Sequence, residues 1–71
     1  MSNAVNELFC VMRVINASNE PLCPELIVAK TWLNLTAVRF YAKRLCEEGL
    51  VEITINKKDG RHYYMRKGLR T

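Results

Sequence analysis

The sequence predicts an α+β fold: three helices followed by a two-stranded β-hairpin, in one small domain. Three observations carry that expectation. Apolar residues recur at helical spacing up to Glu48, they change to strict alternation after Gly49, and Asp59-Gly60 divides the alternating stretch in two. The chain has 71 residues. A domain of that size buries only about 60% of its unfolded surface. Two-domain enzymes, TIM barrels and Rossmann domains are excluded on length. A hydrophobic share of 49% with 25% charged residues fits a globular domain rather than a disordered tail or a collagen-like repeat.

The elements follow in order. Val5, Leu8, Phe9, Met12 and Ile15 form one helical stripe, so a first helix is expected over about 4–17, with Ser2 or Asn3 as its cap. The run from Asn16 to Pro21 ends it with turn-forming residues. Pro24 at the first helical position and Glu25 beside it start a short second helix that reaches about Thr31. Trp32-Leu33-Asn34 is a tight connection, and Asn34 caps a third helix over about 35–48, stopped by Gly49. Val38, Tyr41, Ala42 and Leu45 share one face of that helix; Thr36, Arg39, Phe40, Lys43 and Glu47 share the other. Val51, Ile53 and Ile55 alternate with Glu52, Thr54 and Asn56 as a half-buried strand. Lys57 to Gly60 turns the chain, with Asp-Gly supplying positive φ, and Arg61 to Arg66 returns. Trp32, Tyr63 and Tyr64 are expected in the core or at its margin, where a ring is buried and its polar handle stays accessible.

Charge is unevenly placed. Before residue 35, Arg13 and Lys30 stand against Glu7, Glu20 and Glu25; after it, nine cations stand against four acids. The basic half is the one holding the third helix and the hairpin, and nucleic acid, an acidic protein or an anionic membrane could answer it. Helix, short helix, tight turn, long helix and basic hairpin is the order of a winged helix-turn-helix domain, in which the helix after the turn enters the DNA major groove. Thr36, Arg39, Phe40 and Lys43 lie at i, i+3, i+4 and i+7 and form an exposed stripe about 10 Å long. Arginine can bond guanine O6 and N7 in bidentate fashion, threonine and phenylalanine can touch a thymine methyl, and lysine supplies charge for phosphate. Arg44 adds a cation to the same helix, and Lys57, Lys58 and Arg61 place three more on the wing. These eight residues are the candidate DNA contacts, with Arg66, Lys67 and Arg70 as extensions. If five to seven of these cations meet phosphates, log K falls with log salt at a slope of roughly −4.5 to −6. The competing reading is a solvated charged face and a polar hairpin tip with nothing bound, with Phe40 packed under the N-terminus or in a dimer contact.

Other classes lack their parts. Cys10, Cys23 and Cys46 are odd in number and without C-x-x-C spacing, so reduced thiols are expected rather than a disulfide framework, and His62 alone completes no zinc site. No cofactor is expected. There is no nucleophile elbow, phosphate-cradling glycine loop or H-E-x-x-H, so no enzyme is expected. Nothing approaches the ~20 apolar residues of a membrane span, and the start lacks a signal-peptide pattern. A cytoplasmic bacterial protein is the expectation. Ser2-Asn3-Ala4 matches the remnant some expression vectors leave and gets no functional weight.

Val38-Arg39-Phe40-Tyr41 followed by Leu45-Cys46-Glu47-Glu48-Gly49-Leu50-Val51 resembles the recognition helix and exit of bacterial winged-helix regulators. The two aromatics after Arg39, the hairpin length between Val51 and Tyr63-Tyr64, and Met65-Arg66-Lys67-Gly68 are similar to the PapI/FaeA family of small fimbrial operon regulators of enteric bacteria. The resemblance covers roughly 24–68, and the first helix carries different residues. It implies a transcriptional regulator of a fimbrial or pilus operon that acts with the leucine-responsive regulatory protein at sites where adenine methylation controls phase variation. It also implies that Thr36, Arg39, Phe40 and Lys43 fall on the recognition helix and Lys57, Lys58 and Arg61 on the wing. The alternative is a winged-helix module that docks an acidic protein partner through Phe40 and the basic face.

Overall fold

A computed structural model of the chain describes residues 3–69. The elements are α1 (Asn3–Ala17), α2 (Pro24–Thr31), α3 (Leu35–Glu47), β1 (Val51–Ile55) and β2 (His62–Arg66). The capping role assigned to Ser2 and to the side chain of Asn3 lies outside what is described, as does Arg70.

Local chemistry accounts for most boundaries. Pro24 opens α2, where its missing N–H costs nothing. The Asn34 side chain accepts a hydrogen bond from the Ala37 N–H at 2.7 Å and so caps α3. At the other end the Leu50 N–H reaches the Leu45 carbonyl at 2.9 Å and the Gly49 N–H reaches Cys46 at 3.0 Å. This is a Schellman ending, and it needs the left-handed φ of 74° that Gly49 adopts.

α1, α2 and α3 pack together around Val11, Ile15, Ile27, Val38, Tyr41, Ala42 and Leu45, and the base of the hairpin closes the cluster with Val51 and Tyr64. The strands are antiparallel, with Val51 opposite Arg66 and Ile55 opposite His62. Leu22 adds one rung outside β2: its N–H and carbonyl both bond Tyr64, at 2.8 and 2.7 Å. The Tyr41 hydroxyl donates to Glu7 Oε1 at 2.7 Å and ties α3 to α1.

Four expectations are corrected. The buried stripe of α1 is turned toward Val11: Val11 and Ile15 are buried, Leu8, Met12 and Val14 partly so, while Val5 and Phe9 face outward. The polar side chains of Asn6, Arg13 and Asn16 share one side of this helix; Val5 and Phe9 flank Asn16 at the edge of the apolar arc, whereas Val11 and Ile15 lie well inside it. Trp32 is not in the core; it is 93% exposed and has φ 65°. The alternation of β1 is buried only at Val51, and Ile53 and Ile55 are 46% and 61% exposed because they border open grooves, Ile53 opposite α3 and Ile55 beside Leu26, rather than the closed core. In the turn, Gly60 alone has positive φ and Asp59 does not. With four residues between Asn56 and Arg61, one left-handed position suffices to close the loop.

Candidate functional site

α3 buries Val38, Tyr41, Ala42 and Leu45 and exposes Thr36, Arg39, Phe40, Lys43, Arg44 and Glu47, as its two-faced pattern requires. A helix with one face locked in the core holds the opposite face at fixed position and angle. Phe40 is 62% exposed, with its ring edge-on to Tyr41 at 5.6 Å. Packing under the N-terminus is therefore not its role.

The hairpin turn is built by its own polar side chains. Asn56 Oδ1 accepts from the Lys58 N–H at 2.8 Å, Asp59 Oδ1 accepts from the Arg61 N–H at 2.9 Å, and the Tyr63 hydroxyl donates to Asp59 Oδ2 at 3.2 Å. The two asparagine and aspartate contacts are the local side-chain turns that these residues favour. They leave Lys57 and Lys58 exposed with no carboxylate within ion-pair distance among the described residues.

The eight predicted residues do not form one patch. Arg39 and Lys43 of α3 and Arg61 of the hairpin open onto a single groove of about 620 Å³, floored by Cys46, Ile53 and Tyr64 and flanked by Pro24 and His62. Lys57 and Lys58 line a second groove, with Asn19, Glu20, Pro21, Leu26 and Tyr63. Thr36 and Phe40 lie on the exposed face of α3 outside both grooves. Arg44 pairs with Glu48 one turn on at 3.6 Å.

Arg61 is committed elsewhere. Its guanidinium is ion-paired with Glu25 in the first turn of α2. The backbone N–H of Glu25 itself, and then Arg61, lower the Glu25 carboxyl from its ordinary value, and the contact with Glu25 raises Arg61. In the groove floor, burial and then the neighbouring Glu47 charge raise the Cys46 thiol, which keeps it protonated at neutral pH. Burial likewise raises the Tyr64 hydroxyl.

No protein-family model matches the chain, and no curated protein matches its sequence. Among the described residues no three His, Cys, Asp or Glu side chains gather as metal ligands would, and no helix is long and apolar enough to cross a membrane.

Three features escaped the sequence. His62 stands in the groove with Arg39 and Lys43. It follows Arg61 and its register opposite Ile55 puts it on the sheet face shared with Tyr64, a placement that the hairpin register would have shown. Glu25 was legible as a helix-start residue, but its partner 36 positions away was not. Trp32 carries no local signal for exposure, because its backbone conformation is normally taken by glycine.

Proposed function

We propose that the chain is a winged helix-turn-helix domain that binds duplex DNA and regulates transcription without enzymatic chemistry. The observation that supports this best is the pairing of α3 with the hairpin: a helix locked by its apolar face presents Arg39 and Lys43 on one groove with Arg61 and His62 of the hairpin. In this reading α3 enters the major groove, which is about 12 Å wide and admits a helix of 10–12 Å. Arg39 reads base edges, Lys43 meets phosphate, and Thr36 and Phe40 touch bases or thymine methyls. The hairpin is the wing, and Lys57 and Lys58 anchor it to the backbone of the duplex. The resemblance of 24–68 to the PapI/FaeA family makes a fimbrial operon the target to try first, with the leucine-responsive regulatory protein as co-regulator in the bacterial cytoplasm.

Fluorescence anisotropy against a random 30-bp duplex tests the reading, with salt stepped from ~50 to ~200 mM. Four to five phosphate contacts predict a fall of about two to three orders of magnitude in affinity across that range. Absence of binding at the lowest salt overturns it.

One observation favours a second reading. Trp32 and Phe40 are both exposed aromatics, and tryptophan is among the residues most enriched at protein–protein hot spots. A module that docks an acidic protein would show no duplex binding at low salt, and Trp32→Ala would abolish its capture of that partner.

A further inference from the structure

We propose that Glu25 is a built-in competitor of nucleic-acid phosphate: it holds Arg61 against α2, and a phosphate entering the groove must displace it. The inference rests on the duplex-binding reading above and concerns the regulation of that same site. Arg61 is one of three strong cations on the groove, and among the described residues it alone of the three has a carboxylate partner within ion-pair distance. The pair joins two separate elements of the fold. Glu25 sits on a packed helix beside buried Pro24, whereas Arg61 leads out of the turn into β2. Both side chains are about half exposed, at 46% and 47%, so water and incoming ligands reach them. An exposed ion pair shifts an equilibrium by about fivefold at most. A duplex phosphate offers the guanidinium a charge-assisted bidentate contact that can take its place.

Two consequences distinguish competition from simple attachment. Neutralising Glu25 should strengthen binding, because Arg61 is then free before the duplex arrives. The gain should also depend on Arg61, since Glu25 acts through it. If the pair instead served to hold the hairpin at its working angle, the same change would weaken binding.

The test is a double-mutant cycle. Wild type, Glu25→Gln, Arg61→Gln and the double variant are titrated by anisotropy against a random 30-bp duplex at ~50 mM salt. Circular dichroism confirms that each is folded. The expected result is that Glu25→Gln tightens binding by about three- to fivefold in the wild-type background and changes it by less than about twofold when Arg61 is already Gln. Unchanged or weaker binding by Glu25→Gln overturns the proposal, and so does an equal gain in both backgrounds, which would reflect net charge alone. If the wild type itself binds no duplex, the duplex reading has failed and this proposal falls with it; wild-type binding with a flat cycle sinks only the proposal.

Discussion

The two basic regions of the molecule differ in what stands beneath them. Arg39 and Lys43 rise from α3, whose other face is Val38, Tyr41, Ala42 and Leu45 in the core. Lys57 and Lys58 ride on an exposed turn held by local hydrogen bonds of Asn56, Asp59 and Tyr63 and by two backbone bonds, with no buried side chain in the turn itself. A cation on a packed helix keeps its geometry, which bidentate base recognition demands. A cation on a loop tip keeps its charge but not its direction, which is enough for phosphate. Under the proposed duplex-binding function, the contrast predicts discrimination from the groove and sequence-independent attraction from the tip.

The largest effect comes from removing the support of one region and not the other. Leu45 is 1% exposed beneath α3. Leu45→Ala is expected to cost about 2–5 kcal/mol, much of the roughly 4–10 kcal/mol available to a domain of this size. Thermal melting followed by circular dichroism should show a drop of at least about 8 °C. A shift of a degree or two would mean that α3 is not locked by its apolar face.

Next is the groove itself. Arg39→Ala should reduce the preference for a specific site over random duplex by about 1–3 kcal/mol. Equal loss on both sequences would remove Arg39 from base reading and erase the contrast between the regions.

Trp32 tests whether the start of α3 depends on the residue at the turn. A bulky residue at φ 65° is strained by about 1–2 kcal/mol, while the cap that begins α3 is Asn34. Trp32→Gly should therefore stabilise the fold by about 1 kcal/mol, raise the melting temperature by roughly 4–8 °C and leave site preference intact. Lower stability would show that the indole makes a contact its exposure does not predict.

The smallest change is at the tip. Lys58→Ala should weaken all duplexes alike, by a few-fold, and flatten the salt dependence by about one unit of slope. A sequence-selective loss would move Lys58 into the reading surface.

What was legible in the sequence divides along physical lines. The helix and strand boundaries follow from residues whose effects are local: Pro24, Asn34, Gly49 and Gly60 each act within a few positions of themselves. The two faces of α3 were equally plain, because its apolar and charged residues separate cleanly. The expected stripe of α1 took in Val5 and Phe9 and left out Val11 and Val14, which places the buried face too far round the helix. The exposure of Ile53 and Ile55 depends on the open grooves that folding leaves beside the hairpin, which no strand pattern records. Separation of Arg39, Lys43 and Arg61 in one groove from Lys57 and Lys58 in another, and capture of Arg61 by Glu25, are products of folding rather than of spacing.

The most direct test of the division between groove and tip is an amide NMR titration of the whole protein with duplex DNA. The account predicts shifts concentrated on residues 34–43 of the capped helix and 57–62 of the hairpin, with the outward face of α1 around Val5, Phe9 and Arg13 unmoved. Shifts centred on α1, or none at all, would contradict it.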